Sequence, residues 1–173
     1  MKSTKFLLLV FLFVSCASIR VNYDYDRTTN FSNYKTYQYY SNMNTSLSTL
    51  DTKRLLDAID AKMTLLGLSI SETPDFLIDI RSVEFQGNSN NTIGVGLGGG
   101  GRNVGGGVSV GIPIGAPNVN RQITIDFVDE KGSGLFWQAI SESGFNPNAA
   151  PENREARIKA IVDKVLSGYP PKP

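Results

Sequence analysis

Between residues 21 and 26 the chain alternates Val21, Tyr23 and Tyr25 with Asn22, Asp24 and Asp26, the period of two that a half-buried strand imposes. Asp24 and Asp26 are then expected to face water. A turn-rich stretch through Asn30, Ser32 and Asn33 leads to residues 34–40, where four tyrosines and Thr36 predict a second strand. Tyrosines at strand spacing read as core and rim residues, with an aromatic platform for a ligand as the alternative. The period then changes. After a polar linker over 41–48, Ser48-Thr-Leu-Asp51 matches a capping box, and Leu55, Leu56, Ile59, Met63 and Leu66 recur at helical spacing up to Gly67. Alternation returns over 76–85, with Phe76, Ile78 and Ile80 against Asp79 and Arg81, and over 121–131, with Ile123, Ile125 and Phe127 on one side. The turn at 129–134 joins the latter to Leu135-Phe-Trp-Gln-Ala-Ile140, which predicts an antiparallel hairpin. A last helix is expected from about 152 to 166, started by Pro151 and Glu152, with Ile158, Ile161, Val162, Val165 and Leu166 on its apolar face. Gly168, Pro170 and Pro171 stop it. Strands in succession with two helices among them predict an α+β fold, a mostly antiparallel β-sheet with both helices packed on one face.

One segment breaks these patterns. Ten of the 17 glycines fall between Gly94 and Gly111, where Ile93, Val95 and Leu97, and then Val108, Val110 and Ile112, alternate with glycine or serine about a centre near Arg102 and Asn103. The reading is a glycine-rich β-hairpin over about 93–112. Glycine raises the entropic cost of ordering a strand and leaves one face without side chains, so this hairpin is expected to be mobile and the least stable part. Gly94, Gly96, Gly98, Arg102, Asn103, Gly107 and Gly111 are its candidate contacts with a partner. Gly94-x-Gly96-x-x-Gly99 and Gly96-x-Gly98-x-x-Gly101 match the dinucleotide fingerprint only as strings. That chemistry needs a helix N-terminus after the glycines and an acid roughly 20 residues on, where Val119 and Asn120 stand. No small-molecule cofactor is expected.

At the other end of the hydropathy range, Lys2 and Lys5 precede an unbroken apolar run over 6–14, then Ser15 and Cys16. This is a secretory signal over 1–15, too short to cross a bilayer, which takes roughly 20 apolar residues. Val14-Ser-Cys16 resembles the end of a bacterial lipobox, in which the cysteine is acylated and becomes the first residue; the alternative is a cysteine that follows an ordinary signal. Cys16 is the only cysteine. Residues 16–20 would then be anchor and tether, and 21–173 one domain. Each buried methylene contributes ~0.8 kcal/mol, and a multiply acylated cysteine holds where a single chain would not.

The 173 residues carry 17 Lys and Arg against 16 Asp and Glu, and losing the signal with its two lysines leaves a net charge of −1. Without a clustered basic surplus, nucleic acid is excluded as a partner. The chain has no histidine, which removes the commonest general base and zinc ligand. Paired carboxylates remain, at Asp24 and Asp26, Asp57 and Asp60, and Asp126 with Asp129 and Glu130. They lack calcium-loop spacing and read as solvated surface, so no catalytic residue and no metal ligand is assigned. Trp137 reads as core.

Val21-Asn-Tyr-Asp-Tyr-Asp26, Phe31-Ser-Asn-Tyr-Lys-Thr-Tyr37, the glycine-valine hairpin, Leu135-Phe-Trp-Gln138 and the closing Tyr169-Pro-Pro171 together resemble the bacterial lipoproteins of domain of unknown function 4136. The resemblance covers nearly all of the chain after Cys16 and implies a secreted, lipid-anchored α+β domain of a Gram-negative envelope, with no activity or catalytic residues to carry over. Ala17 follows the cysteine, where an aspartate would retain a lipoprotein at the inner membrane, and no acidic export run follows. By analogy this favours the periplasmic face of the outer membrane. The expected role is a non-catalytic binding or scaffolding module with an envelope protein as partner. Alternatives are a stress or maintenance component acting through lipid contact or self-association, and a carboxylate-dependent hydrolase.

Overall fold

The computed structural model describes residues 18–87, 92–95, 110–113 and 119–172. Strand β1 (Arg20–Tyr25) is followed by a single 3₁₀ turn, Phe31–Asn33, and by β2 (Thr36–Tyr39). Helix α1 (Thr49–Leu65) begins where Ser48 accepts a hydrogen bond from the Asp51 amide. It ends in a Schellman turn: Gly67, at φ +81°, donates to Thr64 and Leu68 to Met63. Then come β3 (Ser69–Ile70), β4 (Phe76–Gln86), β5 (Thr92–Val95), β6 (Val110–Pro113), β7 (Val119–Asp129), β8 (Gly134–Phe145) and α2 (Pro151–Leu166).

Six strands form one sheet in the order β1-β8-β7-β4-β2-β3. It is mixed, not mostly antiparallel as the strand count suggested. The pairs β1/β8, β8/β7 and β7/β4 are antiparallel, but β2 runs parallel to both β4 and β3. The cause is α1. A helix inserted after β2 carries the chain back to the end from which β2 set out, so the strands that follow run in its direction.

The helices pack side by side. Leu55, Ile59 and Met63 of α1 and Ile158, Ile161, Val162, Val165 and Leu166 of α2 join Phe76, Ile78 and Ile80 of β4, and Ile123, Ile125 and Phe127 of β7, in one core. Burial of whole apolar side chains at about 1.5–3 kcal/mol each drives this assembly. In β8 the register shifts, Phe127 facing Trp137 while Val128 faces Leu135. Phe136 is the extra residue of this bulge, and both it and Trp137 are fully buried. Trp137 is therefore core, as its sequence context suggested. Tyr34 stacks flat on Phe136 at 4.2 Å and Phe31 meets Tyr169 edge-on, so the β1–β2 connection seals one end of the core.

Three expectations are revised. Tyr23 and Tyr25 are more than a third exposed, because β1 is an edge strand and few neighbours cover it. Asp126, expected on the surface, is 5% exposed because Arg81 and Gln138 close over it. The capping box is half made: Ser48 caps α1, but the Asp51 carboxylate turns to arginines. In the glycine-rich segment β5 and β6 pair antiparallel, Gly94 opposite Gly111. Gly96, Gly98, Arg102, Asn103 and Gly107 lie outside the described residues, as does Cys16.

Candidate functional site: a groove beside the uncovered edge of β2

Asp75 explains why β3 is so short. Its carboxylate accepts from the backbone N–H groups of Lys35 and Thr36 and from the Thr36 hydroxyl, all at 2.8–2.9 Å, which pulls residues 71–75 around the start of β2. These bonds, the Lys35 amide foremost, hold the Asp75 carboxyl below its ordinary value. As a result β3 pairs only with Thr36 and Tyr37. Backbone groups of alternate residues in a strand point to opposite neighbours. The Tyr37 carbonyl accepts from Ser71 on the outer side, whereas the Tyr40 N–H donates to Ile78 of β4. Tyr39 therefore points its N–H and C=O outward, past the end of β3. The side-chain oxygen of Gln38 takes that N–H at 3.0 Å, a substitute for a strand.

The loop over residues 41–48 folds back against α1, tied down by a 2.8 Å hydroxyl bond between Thr45 and Thr52. Between loop, helix and sheet edge lies an open groove of about 700 Å³, whose walls include Tyr39, Met43, Leu47, Leu56, Asp60 and Ile70. Asp60 Oδ1 accepts from the hydroxyls of both Tyr37, at 2.8 Å, and Tyr39, at 2.6 Å. Burial first, and then the adjacent Asp60 carboxylate, pushes both phenols far above the ordinary tyrosine value, so they act only as neutral donors. Nearby, Lys53 pairs with Asp57 at 2.7 Å.

Two other polar clusters stand out among the described residues. On the sheet face opposite the core, Asp79 and Asp126 stand directly across β4/β7. Arg81 bonds Asp126 and lies 3.5 Å from Asp79, and Gln138 donates to Asp126 at 2.7 Å. A shallow cleft of about 410 Å³ opens there beside Tyr40 and Asn42. One guanidinium answers both carboxylates. The second cluster gathers Arg54, Arg121 and Arg154 around the buried Asp51. Among the described residues no group of three or more acids or thiols is arranged to hold a metal. No helix among them is long and apolar enough to cross a membrane.

The family model described as Domain of unknown function (DUF4136) matches residues 21–171. The chain belongs to this family. Among solved structures, a DUF4136 family protein from Bacteroides thetaiotaomicron shares 14% identity at a TM-score of 0.54, over 88% of this chain and 96% of that one. A PDZ domain protein from Parabacteroides distasonis shares 17% at a TM-score of 0.55, over 90% of this chain but only 37% of its own length. At these identities the likeness is one of fold. No curated protein matches the chain.

Within this DUF4136 domain, none of the described residues that line the groove is among those proposed from the sequence as a contact or anchor. The groove is built by the short β3, the loop return and a tyrosine pair aimed at a helix carboxylate. Only the last left a trace in the sequence: Tyr37 and Tyr39, two apart on a strand, with Asp57 and Asp60 on the neighbouring helix. The arginines around Asp51 come from positions 54, 121 and 154, a spacing with no local signal.

Proposed function

We propose that this DUF4136 protein is a lipid-anchored, non-catalytic binding module of the cell envelope. Acyl chains on Cys16 hold it at the periplasmic face of the outer membrane, and its groove receives an envelope protein. The observation that carries the binding reading is the groove of about 700 Å³ along a sheet edge that β3 leaves uncovered. Its size falls within the range of ligand sites, and it joins apolar walls to a few convergent polar groups. The anchor rests on the sequence around Cys16, and the outer-membrane placement on Ala17.

The test uses intact envelopes. A photo-crosslinking residue at Leu56 should give a discrete protein adduct, and the same residue at the exposed Lys159 on α2 should give none. Equal adducts from both positions, or none from either, would remove the groove as the site of function. In parallel, wild-type protein should incorporate labelled fatty acid, and Cys16→Ala should abolish that label and free the protein from the membrane fraction. A processed Cys16→Ala protein still in the membrane would overturn the anchor.

A further inference from the structure

We infer that the groove takes an extended peptide segment of the partner as an added strand along Tyr39, with a lysine or arginine of that peptide against Asp60. This inference deepens the binding-module reading and rests on it.

The backbone supplies the first argument. The outward N–H and C=O of Tyr39 continue the line in which Thr36 and Tyr37 already hold β3, so a peptide entering there would extend a ladder already begun. Strand addition gains its affinity from such main-chain bonds, while pockets for alternate side chains select the sequence. A peptide carbonyl would take the Tyr39 N–H in place of the Gln38 side-chain oxygen, and a peptide amide would donate to the Tyr39 carbonyl. The side chains supply the second argument. Ile70, 51% exposed, lines the groove together with Met43, Leu47 and Leu56, an apolar wall for side chains on the groove-facing side of an added segment.

Charge settles which polar residue belongs on that same face, two positions along from an apolar one, because Asp60 and Leu56 stand four apart on α1 and line one groove. Lys53 already neutralises Asp57. Asp60 receives only the two neutral phenols, both on Oδ1, and forms no ion pair among the described residues. An ammonium or guanidinium on its second oxygen would supply the missing counter-charge, and the tyrosines would hold the carboxylate in place for it. An acidic segment would meet uncompensated negative charge.

The purified chain can be titrated by fluorescence anisotropy with a labelled Val-Thr-Lys-Thr-Val peptide, whose valines and lysine share one strand face, its Glu-for-Lys counterpart, and a version N-methylated at alternate amides. The lysine peptide should bind, the glutamate peptide should not, and N-methylation should abolish binding. Asp60→Asn keeps an acceptor for both phenols and should weaken the lysine peptide by about tenfold or more, the scale of a lost charge-assisted bond. Equal binding of the lysine and glutamate peptides, or undiminished binding to a folded Asp60→Asn, would overturn the role of Asp60. Undiminished binding of the methylated peptide would overturn strand addition. If no peptide binds and sedimentation shows a dimer that Leu56→Glu dissociates, the occupant is a second copy and the inference fails. Failure of every peptide beside a positive crosslink at position 56 would overturn this inference while the binding-module reading stands.

Discussion

A β-carbon on Gly168 would overlap the ring of Tyr23, whose hydroxyl donates to the Lys164 carbonyl at 2.7 Å near the end of α2. In the sequence Gly168 reads as a helix stop; in the fold it is also the gap through which β1 reaches α2. Gly168→Ala should displace the tyrosine and lower stability by about 1–2 kcal/mol, from lost packing and one hydrogen bond. In a Tyr23→Ala background the same change should cost little, and urea denaturation of the four proteins of this cycle measures the coupling. Asp75 is the second residue with an outsized role. Its carboxyl is held below the ordinary 3.8, so the native state binds that proton more weakly than the unfolded chain does. The stability it lends is whole above pH 3.8 and is lost as pH falls below that value. Asp75→Asn should therefore be less stable at neutral pH and show a shallower loss between pH 4 and pH 2, an outcome that a pH series of urea midpoints reads directly.

At the level of elements, one carboxylate and the arginine beside it join five segments. Asp51, in the first turn of α1 and fully buried, accepts from Arg54 of its own helix at 2.9 Å and from Arg154 of α2 at 2.8 Å, and Arg121 of β7 lies 3.6 Å away. Arg121 also bonds Glu84 of β4 at 2.6 Å and lies 3.4 Å over the Phe145 ring of β8. Removing the charge from the centre leaves guanidinium groups packed together without their anion. Asp51→Asn should cost about 3–5 kcal/mol, the range for breaking a buried pair, although it keeps the helix-capping bond to Ser48. Arg54→Gln, at a more exposed position, should cost far less. Guanidinium denaturation at fixed pH compares them, and near-equal stabilities for wild type and Asp51→Asn would show that the arginines find other partners.

For the whole molecule, what the sequence disclosed follows from the range of the forces involved. The apolar face of α2, Ile158 to Leu166, was legible because 3.6-residue periodicity is written into consecutive positions, and the β7–β8 hairpin because its turn is local. The parallel direction of β2 is marked in the sequence only by a strand, a helix and a further strand, the pattern of a crossover, which a succession of strands obscures. Phe136 and Trp137, both buried in succession, defied alternation because a bulge needs the opposite strand to define it. The groove and the Asp51 cluster depend on residues brought together from distant parts of the chain, and a single sequence does not record that meeting.

The place of β8 has a consequence for how the molecule comes into being. The first strand of the fold lies against the last, Arg20 opposite Glu142 and Tyr25 opposite Trp137, and Tyr34 rests on Phe136. A chain made from its N-terminus thus offers β1 no partner until β8 has emerged. Contacts of such long sequence separation slow folding, since the loop must close before the contact rewards it. Arrival of β8 is then the signal to fold, which makes the emergence of Gly134–Phe145, and not of β1, the moment at which this protein can acquire its shape.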